Sequence, residues 1–170
     1  MYTIYTDGAT SGNGYEGAQG GWAWILLDEN GKCIHGETGY VDNATNNICE
    51  LKAVIQGCKI FIAYNNVKNK DENCTIYSDS AYIINCYKDK WYKKWQANGW
   101  INSKKQPVAN KELWEELIPY FENPKIHFEK VAGHSGNKYN EAVDRMAVAR
   151  KNNEDWGKYF WKLVDEDKES

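Results

Sequence analysis

Two short stretches constrain this chain more than any other feature. Ile4-Tyr5-Thr6-Asp7 and Ile76-Tyr77-Ser78-Asp79 share one design: a β-branched residue, a tyrosine, a hydroxyl and then an aspartate. Around the first, Tyr2, Ile4 and Thr6 alternate with Thr3 and Tyr5, which predicts a strand ending at Asp7. Around the second, Cys74–Ser78 predicts a strand ending at Asp79. If these strands are parallel neighbours, both carboxylates reach the carboxyl edge of one sheet, where ligands of open α/β sheets bind.

The rest of the chain supplies the connections. Trp22–Leu27 and Lys32–Val41 read as strands joined by the turn Asp28-Glu29-Asn30-Gly31, hence a hairpin. The polar run Asn43–Asn47 can cap a helix. From Ile48 the apolar positions Leu51, Val54, Cys58 and Phe61 have helical spacing to about Tyr64. Ala81–Tyr87 and Lys111–Phe121 are further helices, Ile126–Val131 a fifth strand, and Asn140–Lys151 a last main helix. The order β-β-β-α-β-α-α-β-α implies one α/β domain with a five-stranded mixed sheet flanked by helices. The crossover from the third strand would lay the fourth beside the first. Residues 1–151 form that domain in this reading. In residues 152–170, Trp156, Phe160 and Leu163 recur at helical spacing, so the tail is expected to dock as a helix.

Composition narrows the function classes. At 170 residues the chain is sized for one domain. The longest apolar runs, near Trp22–Leu27 and Ile60–Tyr64, are far short of the ~20 residues of a membrane span. The N-terminus has no basic, hydrophobic leader pattern. The five cysteines are odd in number and lack C-x-x-C spacing, so reduced, buried thiols in a cytoplasmic protein are expected. The net charge of −3 would argue against nucleic acid, but its distribution is uneven. Lys88–Lys111 holds seven lysines and one acid, whereas Glu154–Ser170 holds six acids and three lysines.

Glu50 and Asp144 each fall about one turn into a predicted helix. Taken singly, each is explained as a favourable charge near a helix N-terminus, and Asp7 or Asp79 as a cap. Taken together, four acids at two strand ends and two helix starts make a set of hard oxygen ligands for Mg²⁺, with Mn²⁺ a substitute. His134 sits in Gly133-His134-Ser135-Gly136, either a plain surface residue or a mobile proton donor and acceptor. In the basic stretch, Lys93, Lys94, Lys104 and Lys105 suit phosphates, and Trp91, Trp95 and Trp100 suit stacking. Trp91 and Trp95 are also four apart, which packing against the body explains well, so both readings are expected to hold, with Trp inside and Lys outside on nucleic acid.

Together the motifs resemble type-1 ribonuclease H. The resemblance rests on Tyr5-Thr6-Asp7-Gly8, Thr45-Asn46-Asn47 with Glu50-Leu51, Ser78-Asp79-Ser80, and Gly133-His134-Ser135-Gly136 followed by Asp144. The segment from Trp91 to Asn110, with Trp100, Lys104-Lys105 and Pro107-Val108, resembles that family's basic protrusion. The resemblance implies a ribonuclease H-like fold and endonucleolytic hydrolysis of the RNA strand of RNA/DNA hybrids. It implies two Mg²⁺ ions held by Asp7, Glu50, Asp79 and Asp144, with His134 as auxiliary catalytic residue. Ends would be 5′-phosphate and 3′-hydroxyl. Asn13, Asn46 and Asn47 would contact the hybrid's minor groove and Thr45 a DNA-strand phosphate. The expected partner is the hybrid duplex, with no membrane, no obligate protein partner and a monomeric state. Departures are Ala81 where many relatives carry Gln, Ala132 where Lys is frequent, and a glycine loop without the usual proline.

Overall fold

A computed structural model describes residues 1–12, 17–131 and 136–169. Five strands, β1 (Tyr2–Thr10), β2 (Gln19–Leu27), β3 (Cys33–Asp42), β4 (Cys74–Ser78) and β5 (Ile126–Lys130), form one sheet in the order β3-β2-β1-β4-β5. The pairs β1–β2 and β2–β3 are antiparallel, and β1–β4 and β4–β5 parallel. This is the mixed sheet expected, with the fourth strand beside the first. Among the described residues six helices surround it: α1 (Asn46–Val67), α2 (Ala81–Asp89), α3 (Trp91–Asn98), α4 (Lys111–Phe121), α5 (Lys138–Lys151) and α6 (Gly157–Glu169).

Strand alternation sorts the apolar side chains onto two faces. Tyr2, Ile4, Leu26, Ile76 and Phe128 pack with Leu51 and Phe61 of α1 and Trp114 and Leu117 of α4. Ala23, Ile25 and Leu27 point the other way, onto Val143, Met146 and Ala147 of α5 and Phe160 and Leu163 of α6. Burial of each of the larger aliphatic and phenylalanine side chains stabilises by about 1.5–3 kcal/mol. All five cysteines are buried and unpaired. Among the described residues, no helix is long and apolar enough to cross a membrane.

Three differences from the sequence expectations bear on function. First, β1 does not stop at Asp7. It continues antiparallel to β2 through Thr10, while its parallel pairing with β4 ends at Tyr5–Tyr77. Asp7 therefore lies where the parallel half of the sheet has ended. Second, α5 starts at Lys138, so Asp144 sits nearly two turns in rather than one. Third, the lysine-rich stretch contains a separate helix, α3, set off from α2 by Lys90 in the left-handed region at φ 56°.

The chain's last helix is held by chemistry as well as by apolar contact. Asp167 is 3% exposed. Its Oδ2 accepts the Cys33 N–H of β3 at 2.7 Å, and its Oδ1 meets Lys138 Nζ of α5 at 2.9 Å. Lys32 Nζ donates to the Asp167 carbonyl at 2.6 Å.

Candidate active site

Gly8 brings the first two acids together. A Cβ there would lie 2.6 Å from the Cys49 carbonyl carbon and 2.6 Å from Glu50 N, so only glycine lets β1 run this close to the first turns of α1. The Gly8 N–H donates to Asp7 Oδ1 at 2.8 Å and to Glu50 Oε1 at 2.9 Å. Helix α1 is itself started by Thr45, whose side chain accepts the Ile48 N–H at 3.1 Å. Asp79 arrives from the other side, just past the end of β4, where Ser80 caps α2 by accepting the Ile83 N–H.

One oxygen each from Asp7, Glu50 and Asp79 lies within 4.8 Å of the others. Asp7 and Glu50 are buried, Asp79 half-buried. Burial pushes the Asp7 carboxyl far above the usual carboxylate range, and the charges of Glu50 and Asp79 push it further. Glu50 is raised by burial and then by Asp79. Asp79 is raised by burial, with Asp144 adding to it. Asp144 itself is exposed on α5, near enough for its charge to act on both Asp7 and Asp79. Three acids forced together from distant parts of the chain are stable only if protons or cations neutralise them.

The donors fit a divalent metal ion. Glu50 Oε2 is buried without a hydrogen-bond partner, a lone pair set that a cation would satisfy. The ligands are all carboxylate oxygens, the chemistry of Mg²⁺ and Mn²⁺ rather than of soft metals.

The other expected residues fall in three groups. Asn46 and Asn47 are exposed in the first turn of α1, beside the carboxylates, and Thr45 is the cap of that helix. Asn13 and His134 lie outside the described residues. In the basic segment, Lys93, Lys94, Lys104 and Lys105 are exposed. Trp91, Trp95, Lys94 and Lys104 line a cleft of about 600 Å³ with Tyr82. Trp95 is only 7% exposed and its ring packs on Trp100 and Trp114, so it belongs mainly to the core. Trp91 and Trp100 are half-buried. Sequence reasoning missed the Gly8 amide, the one described donor shared by two of the acids. Its only signal was the glycine directly after Asp7.

The ribonuclease H family profile matches residues 1–152. A ribonuclease H of Thermoanaerobacter pseudethanolicus is 44% identical over 145 residues, covering 85% of this chain and 86% of that protein. A ribonuclease H of Clostridium botulinum is 42% identical over 147 residues, covering 85% and 91%. Among solved structures, LC9-RNase H1, described as a type 1 RNase H with the type 2 active-site motif, superposes with a TM-score of 0.72 at 23% identity, covering 91% of this chain and 73% of that one. LC11-RNase H1, solved with an RNA/DNA hybrid, gives 0.67 at 20% identity, covering 90% and 98%. With 85% of the chain aligned at this identity and the family's match running from the first strand through α5, the chain belongs to the ribonuclease H family of enzymes.

Proposed function

We propose that this protein is an endonuclease that hydrolyses the RNA strand of RNA/DNA hybrids, with two Mg²⁺ ions held by Asp7, Glu50, Asp79 and Asp144. The observation that carries the reading is the convergence of Asp7, Glu50 and Asp79 within 4.8 Å in a chain of this family. The solved complex of a fold neighbour with an RNA/DNA hybrid supports the same substrate. When bound, the ions supply charge neutralisation at a phosphodiester and a lowered pKa for the attacking water.

The chain's own groups would then divide the work. The Gly8 N–H fixes the orientations of Asp7 and Glu50, so the ligand set is organised before substrate arrives. Asn46 and Asn47 offer amide groups that both donate to and accept from a 2′-hydroxyl, the group that separates RNA from DNA. They stand in the first turn of α1, whose partial positive charge favours a nearby phosphate. Thr45 would hold a DNA-strand phosphate, Asn13 would join the minor-groove contacts, and Lys93, Lys94, Lys104 and Lys105 would lie along the backbone with Trp91 and Trp100. His134 would transfer a proton to the departing 3′-oxygen, leaving 5′-phosphate and 3′-hydroxyl ends. The protein would act as a monomer in the cytoplasm.

End-labelled RNA/DNA, RNA/RNA and DNA/DNA duplexes of one sequence, incubated with Mg²⁺, test the assignment. Cleavage confined to the RNA strand of the hybrid is the expected result. Equal cleavage of the DNA duplex would overturn it, and Asp7→Asn must abolish whatever cleavage is seen.

A further inference from the structure

A second cavity lies on the same face of the sheet as Asp7. Where the end of β3, the C-terminus of α5 and the start of α6 meet, a cavity of about 640 Å³ is lined by Tyr40, Arg150, Lys151, Trp156 and the amides of Gln19 and Asn153. That volume is in the range of small-ligand sites. One wall, residues 153–156, lies beyond residue 152, where the match to the family ends. The cavity is therefore walled on one side by this chain's tail and on the other by residues inside the family match.

Sheet register fixes where it stands. Ala9 pairs with Gly21, and Gly21 pairs with Tyr40. Val41 packs towards Ala44 and Cys49 at the start of α1, so Tyr40 points to the opposite face. Ala9 packs with the α5-side cluster, and Asp7, two residues before it, shares that face. Two residues along a strand and two strands across place Tyr40 about 12 Å from Asp7. Gly21 between them lies under Ala147 and Lys151 of α5, so a nucleic-acid strand would pass from the carboxylates to the cavity around the C-terminal end of that helix.

The lining suits a nucleotide that is not base-paired. Tyr40 is 41% exposed, one of four exposed large apolar residues described, and half-buried Trp156 lines the same cavity. Aromatic rings left in water beside a cavity offer stacking surfaces to any base. Arg150 is held in place, its Nη1 donating to Thr38 Oγ1 at 3.2 Å, and Lys151 follows it directly. Two adjacent cations of this kind suit a phosphate. Glu154 and Asp155 balance their charge on the far wall, so the site is no general anion trap. Asp155 is occupied in accepting the Gly157 N–H at 2.9 Å. Amides of Gln19 and Asn153 can pair with a base edge. Bases inside a duplex cannot stack here, because their faces are already covered.

We propose that this cavity binds an unpaired nucleotide of a single-stranded extension flanking the hybrid, and so directs the enzyme to hybrids that adjoin single-stranded nucleic acid. This rests on the proposed hybrid-cleaving function. The test compares a blunt RNA/DNA hybrid with the same hybrid bearing a short single-stranded extension at either end of either strand. Two quantities are read: the ratio of kcat/KM for extended over blunt substrate, and binding of the fluorescently labelled substrates without divalent metal. At least one extension should raise both. Tyr40→Ala should remove about fivefold of that advantage, the low end of base–aromatic stacking, and Lys151→Gln should weaken it too. Equal kcat/KM and equal binding for blunt and extended substrates would overturn the proposal, as would an advantage that survives Tyr40→Ala. A blunt hybrid left uncleaved with Mg²⁺ would instead overturn the hybrid-cleaving function. The metal-free comparison would still judge the cavity.

Discussion

The Gly8 N–H donates to Glu50 Oε1 at 2.9 Å across 42 residues of chain, pinning the start of α1 to the sheet. The same N–H reaches Asp7 Oδ1, so one backbone donor holds two buried acids whose charges repel. Strain of this kind gives the site its measurable properties.

Removing one of the repelling charges should separate stability from activity. Without metal, Asp7→Asn should raise the melting temperature, because its carboxyl is pushed upward by burial and by Glu50 and Asp79. The sign follows from proton uptake: the folded state holds a proton that the unfolded chain has lost, so wild-type stability falls as pH rises above the ordinary carboxylate range. Mg²⁺ should raise the wild-type melting temperature, more so at higher pH, and have little effect on the variant. Turnover of Asp7→Asn should drop by ~10³-fold or more. Scanning calorimetry with and without Mg²⁺, beside a cleavage assay, checks both halves. An Asp7→Asn protein that unfolds at lower temperature than wild type would contradict the account.

Gly8→Ala should be damaging although the side chain gains one carbon. Its Cβ would meet backbone of Cys49 and Glu50 at 2.6 Å, and backbone does not yield as a flexible side chain would. The expected cost is about 1–3 kcal/mol, with Glu50 moved from Asp7. Chemical denaturation and Mg²⁺ titration measure the two effects, and wild-type Mg²⁺ affinity in this variant would refute the close-approach argument.

Asp167 should tie the tail to the domain in a pH-dependent way. Burial pushes its carboxyl up, but the Cys33 N–H and Lys138 more than offset this, leaving it below the ordinary value. A lowered carboxyl contributes stability that is present above the unfolded pKa of ~3.9 and is lost as pH falls through the folded value. Asp167→Ala should cost about 2–4 kcal/mol at neutral pH, from hydrogen bonds to a charged group and an orphaned Cys33 N–H. Its deficit should shrink in acid. Truncation after Lys151 should also lower the melting temperature, since it removes Phe160 and Leu163 from the core. A deficit independent of pH would show that packing alone holds α6.

The basic segment should show two different phenotypes a residue apart. Lys93 and Lys94 are exposed, and Trp95 is 7% exposed among Trp91, Trp100 and Trp114. Lys93→Glu with Lys94→Glu should raise KM for the hybrid and flatten its dependence on salt, leaving the melting temperature unchanged. Trp95→Ala should do the reverse, costing ~3–5 kcal/mol of stability. An unaltered salt slope in the double variant would mean that those lysines touch no phosphate.

Much of this protein is written locally. Residue alternation marks five strands, helical spacing marks α1, α4, α5 and α6, and the paired Tyr-Thr-Asp and Tyr-Ser-Asp runs point to two acids at one sheet edge. Such patterns are legible because a strand or helix repeats its environment at a fixed period. Three things could not be read that way. β1 runs on to Thr10 because β2 is there to pair with it. Trp95 is core and Lys94 surface because α4 supplies Trp114 on one side only. Glu50 becomes half of a strained acid pair because Gly8 lets two backbones approach. Residue identities and spacing set which groups are available, since those act over a few positions of chain. Tertiary structure alone decided which charges share a dry space, since burial and repulsion depend on distances between residues far apart in sequence.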